Sequence, residues 1–129
     1  MNYCFTVTAP PYLSENHETA FYVCEAVLSA GHSVSQIFFY ADAVTIANTL
    51  TVPHQNETNW QQGWLELAAK YEFELIVCVA AALRRGVVND QEAANNGLSA
   101  ANCHPGFIIS GLGEWVTATA LAERHLVFK

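Results

Sequence analysis

The chain has 129 residues, 52% of them hydrophobic, and sets 5 basic side chains against 12 acidic ones for a formal charge of −7. That length and apolar content fit one domain over residues 1–129, with enough core to fold without staples. The acidity argues against direct binding of DNA or RNA, whose phosphates need a basic face. No apolar run approaches the roughly 20 residues that cross a bilayer.

In chain order, YCFTVT (Tyr3–Thr8) is β-branched and aromatic and is broken by APPY, which predicts a first strand. A helix follows from about Glu15 to Ala30, with Ala20, Cys24, Val27 and Leu28 on one face and Gly31 at its end. SVSQIFFY (Ser33–Tyr40) predicts the second strand, then an irregular segment with a short helix near Ala43–Asn48 and a break at Pro53. Trp60, Trp64, Leu67, Ala68 and Tyr71 form one stripe of a second long helix.

LIVCV, from Leu75 to Val79, is apolar at consecutive positions, as in a parallel strand covered on both faces. Asn89 and Glu92 have the spacing of a helix start, with Gly97 as its stop. FIIS (Phe107–Ser110) predicts a strand, Glu114–Glu123 a helix and HLVF (His125–Phe128) a last strand. Alternating strands and helices imply an α/β, three-layer fold with a mostly parallel five-stranded sheet and helices on both faces. The expected strand order is 2-1-3-4-5. It puts the working crevice between strands one and three, at their carboxyl ends.

Cys78 falls near the carboxyl end of the third strand, so position favours a working thiol. A reactive cysteine needs its thiolate stabilised. The amides of Val79–Ala82 could do so by starting a helical turn, and Arg84 or Arg85 by folding back. A small buried hydrophobe is the competing reading of the same residue. Cys4 and Cys24 fall on apolar faces and read as core, and Cys103, beside His104, as an ordinary loop thiol. The five histidines lack the short spacings of zinc sites, so no metal is expected. GLGEW matches neither dinucleotide nor phosphate-loop patterns, and no GxSxG is present. The first residues lack a secretory leader's basic start and long apolar core, so a cytoplasmic chain with reduced thiols is expected.

The segment CVAAALRRGVVNDQEA (Cys78–Ala94) resembles the TusD/DsrE family of sulfur-carrier proteins. Further matches are FFY at Phe38–Tyr40, LTVP at Leu50–Pro53, FIISGLGEWVTA at Phe107–Ala118 and PY at Pro11–Tyr12. The resemblance runs the whole length in one register and is loose around Ser14–Glu18. It implies a sulfurtransferase subunit carrying sulfane sulfur as a transient persulfide on Cys78, with no other cofactor. It also implies two smaller homologous subunits (TusC- and TusB-like) in a dimer of heterotrimers, and upstream and downstream sulfur-carrier proteins. One branch of the family serves 2-thiouridine formation at the tRNA wobble position and the other dissimilatory sulfur oxidation; the first is favoured. Arg84 or Arg85 is assigned to the thiolate or to docking, and Tyr12, Tyr40 and Asn48 to the crevice wall. A non-catalytic scaffold subunit and a redox sensor pairing Cys78 with Cys103 stand as alternatives.

Overall fold

The computed structural model describes residues 1–129. Strand β1 (Asn2–Val7) leads into helix α1 (Glu15–Ser29), where the Ser14 side chain accepts from the Asn16 amide at 3.2 Å and so caps the first turn. Gly31, at φ 93°, takes the left-handed conformation that releases the chain into β2 (Ser33–Phe39). A 3-10 segment, Ala41–Ala47, precedes α2 (Trp60–Tyr71), which is capped by the Asn59 side chain accepting from the Gln62 amide at 3.1 Å. Then come β3 (Glu74–Cys78), α3 (Val79–Arg84), α4 (Asp90–Asn95), β4 (Phe107–Ser110), α5 (Leu112–Leu121) and β5 (Arg124–Phe128). The third strand stops at Cys78 rather than Val79, because the chain turns directly into α3. Helix α5 opens at Leu112, two residues before the expected start.

All five strands pair in parallel, as expected of an α/β sheet with helices on both faces, but their order is β4-β3-β2-β1-β5. This corrects the expected 2-1-3-4-5. The connections from β1 through β4 each step one place in the same direction, and α5 alone carries the chain back to the far side of β1. With right-handed crossovers, a reversed step must pass over the opposite face. Trp115 of α5 accordingly donates from Nε1 to Thr6 Oγ1 at 2.8 Å, on the face turned away from α1 and α2.

Alternation along the strands sorts the core into two layers. Phe5, Val7, Ile37, Phe39, Leu75 and Val77 share the face of α1 and α2, where the Phe39 and Trp64 rings lie 5.5 Å apart. At its centre the buried His17 donates from Nδ1 to the Ala9 carbonyl (2.8 Å) and accepts from Trp64 Nε1 (3.0 Å). Both ring nitrogens are thereby committed in the neutral form, and burial pushes the imidazole below its ordinary pKa. The loop before β4 is pressed onto the same layer, since a Cβ on Gly106 would stand 2.3 Å from Leu65 Cδ2.

Thr6, Phe38, Ile76 and Cys78 take the other face, where α5 packs on Thr6 and Phe38. That helix contributes no fully buried residue, and the sheet residues Ile108 and Val127 remain 43% and 48% exposed. No helix of the fold is long and apolar enough to cross a membrane.

Candidate functional site

The strand order relocates the crevice. The chain leaving β3 runs through α3 and α4 and returns past α2, whereas the chain leaving β4 turns through Gly111 into α5 on the opposite face. Since β3 and β4 are neighbours, their outgoing segments part there, and a parallel α/β sheet opens at that divergence. The divergence therefore falls between β3 and β4, not between strands one and three. The two strands end there in Cys78 and Ser110, which are register partners, and neither residue lines a surface cavity. Ser110 carried no signal of its own in the sequence, where FIIS reads only as a strand.

Cys78 is the N-cap residue of α3, so the unpaired amides of the helix's first turn follow it directly. Its side chain makes no capping hydrogen bond. Next to it, Ala81 and Ala82 are buried, which keeps the surroundings small and apolar. The thiol itself is only 2% exposed, and it lines none of the surface cavities.

The two arginines behave differently. Arg85 donates from Nε to Asp42 Oδ1 at 2.8 Å and from an Nη to the Ala81 carbonyl at 3.1 Å. It therefore braces α3 against the 3-10 segment. Arg84 is exposed and forms no ion pair. Asp42, 43 residues from Arg85, had no signal in the sequence.

Of the three expected wall residues, two come together. Tyr12 and Asn48 line a cavity of about 110 Å³ with Gln61 and Asn59. Tyr12 holds φ 70°, and its hydroxyl donates to the Thr58 carbonyl (3.0 Å) and accepts from the Trp60 amide (3.2 Å). Ala41, after β2, holds φ 51° and Glu72, at the end of α2, φ 59°, so Tyr12 is one of three non-glycine residues in this costly left-handed state. Tyr40 instead faces a separate cavity of about 240 Å³ with Phe38, Leu112 and Trp115, on the α5 side of the sheet.

Sequence reading also passed over Asn102. Its Nδ2 donates to Asn48 Oδ1 (3.1 Å) and to the Gly86 carbonyl (2.8 Å), and its Oδ1 accepts from the Val88 amide (2.9 Å). It thus ties the loop after α3 to the loop after the 3-10 segment. The run ANCHPG carried a hint, since asparagine in a loop commonly closes side-chain turns.

The remaining thiols are poor nucleophiles. Burial raises the pKa of Cys4 in β1 and, with help from the charge on Glu25, pushes Cys24 in α1 up to about 12. Cys103 is half-buried, forms an antiparallel bridge with Asn48, and is pushed by burial up to about 11. No group of three or more His, Cys, Asp or Glu side chains is placed to hold a metal ion.

Comparison with known proteins identifies the family. The family model for the DsrE/DsrF-like family matches residues 1–128. Sulfurtransferase TusD of Serratia proteamaculans is 46% identical over 128 residues, covering 99% of each chain. Sulfurtransferase TusD of Yersinia pestis is 43% identical and DsrE of Allochromatium vinosum 41%, each match covering 99% of this chain and 98% of the relative. The crystal structure of the ychN protein from E. coli superposes with a TM-score of 0.73 at 22% identity, over 99% of this chain and all of that one, a likeness of fold. On these grounds the chain belongs to the DsrE/DsrF-like family.

Proposed function

We propose that this chain is a sulfur-relay subunit that accepts sulfane sulfur on Cys78 and hands it to a carrier protein. The observation that carries the reading is positional: Cys78 is the one thiol at the carboxyl edge of the sheet where β3 and β4 part. Cys4 and Cys24 instead lie within β1 and α1, and Cys103 in the loop bridged to Asn48. Relatives bearing the name sulfurtransferase, matched end to end, support the same chemistry.

Each transfer is an exchange between two sulfurs. The Cys78 thiolate attacks the terminal sulfur of a donor persulfide, a new S–S bond forms on Cys78, and the donor's thiolate leaves. The acceptor thiolate then repeats the step on Cys78, so no net oxidation occurs and no cofactor beyond the persulfide is needed. Because the sulfur is closed off in the lone chain, loading requires the crevice to open. Arg84, exposed and unpaired, is suited to an acidic surface on a docking partner; Arg85 is engaged with Asp42.

The pathway we favour is 2-thiouridine formation at the tRNA wobble position, in a dimer of heterotrimers with two smaller homologous subunits in the cytoplasm. The acidic chain suits delivery to proteins rather than to RNA. Loading the purified chain with a persulfide donor and mapping added sulfur by mass spectrometry should find it on Cys78 and lose it in Cys78→Ser. Sulfur retained in full by that variant defeats the assignment. Loss of 2-thiouridine on deletion of the gene supports the tRNA branch, and intact 2-thiouridine with impaired sulfur oxidation assigns the other.

The near-complete burial of Cys78 favours one rival, a scaffold subunit whose thiol is core. In that case Cys78→Ser supports sulfur transfer by the whole assembly as well as the parent chain does.

A further inference from the structure

We infer that the groove between α1 and α2 docks a basic helical segment of a partner protein. Two cavities, of about 280 and 380 Å³, adjoin along this outer surface and share Tyr22, which is 56% exposed. Gly63, facing the Phe21 ring, adds no side chain to fill the larger one. Glu18, Tyr22 and Glu25 follow one another at i, i+4 and i+7, so they form one stripe of α1. At 1.5 Å of rise per residue its two carboxylates stand about 10 Å apart along the helix. Glu57, before α2, and Glu66, on α2, line the other side.

Charge identifies the occupant. The groove sets four carboxylates against the single ammonium of Lys70, and the one ion pair of the chain, Arg85 with Asp42, lies elsewhere. Helix α1 carries no lysine or arginine, so the negative end of its dipole is not offset by a basic residue in the last turn. Nucleic acid, an anionic membrane or a second copy of this acidic chain would each bring more negative charge. A cation is what the carboxylates attract, and the aromatic rings favour it as well. Lys70 Nζ already lies 5.2 Å over the Tyr71 ring, and Tyr22 leaves a second ring open where the cavities meet.

Shape separates a protein segment from a small polycation. All four carboxylates are exposed, so the groove is an open trough. Small ligands are held in sites that cover most of their surface, whereas an amphipathic helix lies in an open groove and is read by anchors at i, i+3, i+4 and i+7. The matching segment carries two lysines or arginines at i and i+7 with an apolar residue between them. This docking concerns α1 and α2 alone and stands whether or not Cys78 carries sulfur.

The probe is a synthetic helical peptide with lysines at i and i+7 and a leucine midway, titrated into the ¹⁵N-labelled chain. It should shift the amide signals of Tyr22, Glu25, Gly63 and Glu66, and a peptide with glutamates in place of the lysines should not. Glu25→Lys combined with Glu66→Lys should weaken binding at least about tenfold. Asp90→Lys combined with Glu114→Lys makes an equal change of charge away from the groove and should alter binding by less than about twofold. All four sites are exposed, so far-ultraviolet dichroism should be unchanged in both variants. Absence of shifts at these amides overturns the inference, as does an equal loss in the two variants. So does spermidine, a small polycation, binding the groove as tightly as the peptide.

Discussion

The two faces of this sheet are built on different terms. Under α1 and α2, every polar atom of the His17–Trp64 pair is matched and the rings of Phe39 and Phe107 close the layer. Under α5, one hydrogen-bonded series running from Trp115 to Thr6 and on to His125 secures a helix that leaves neighbouring strands bare. The first layer can supply most of the stability of the monomer. The second is thin over the outer strands β4 and β5, at Ile108 and Val127.

This contrast can be broken by substitution. The largest effect is expected from Trp64→Ala, which empties a fully buried indole site and orphans the acceptor on His17. Chemical denaturation should register a loss of about 3–5 kcal/mol. An equal loss from truncating the α5 indole, Trp115→Ala, would erase the asymmetry. Gly106→Ala forces a methyl against Leu65 and should be destabilising by about 1–3 kcal/mol, readable as a lowered melting temperature. On the thin side, Trp115→Phe keeps the ring and loses the bond to Thr6, for about 0.5–1.5 kcal/mol in the same measurement.

Acid offers a finer test. The folded-state pKa of His17 lies below its ordinary value through burial, so the unfolded chain takes up a proton first as pH falls through about 6.5. Stability is full above that pH and declines below it, toward the lowered folded value. His125, also lowered by desolvation, adds to the same trend. Denaturation at pH 7.5 and pH 5.5 should show the decline, and His17→Gln, weaker at pH 7.5, should lose less between the two. The smallest effect belongs to Asp42→Ala. Its pair with Arg85 is open to solvent on the Asp42 side and only partly covered at Arg85, and the expected change is below about 1 kcal/mol.

Much of this architecture could be read in advance. The stripe from Trp60 to Tyr71 and the caps at Asn59 and Asn89 are local signals, and the helices formed where they predicted. Cys78 reached the carboxyl edge of its strand because LIVC names both the strand and its end. Lateral order was not legible, since no residue of HLVF records that its neighbour is β1 rather than β4. Nor was coverage: FIIS is equally apolar whether its own chain buries it or another does, and only the position of α5 leaves Ile108 bare. Arg85 followed Asp42 instead of the thiol because the 3-10 segment, far away in sequence, packs beside α3.

One consequence of the strand order concerns synthesis. β1 lies between β2 and β5, yet β5 is the last of the five to leave the ribosome. At translation speeds of roughly 5–20 residues per second, β1 waits seconds with an unpaired edge carrying Tyr3, Phe5 and Val7. An open apolar edge is a template for wrong pairing. A nascent chain stalled before Arg124 should therefore be the form of this protein that chaperones hold and that aggregates first.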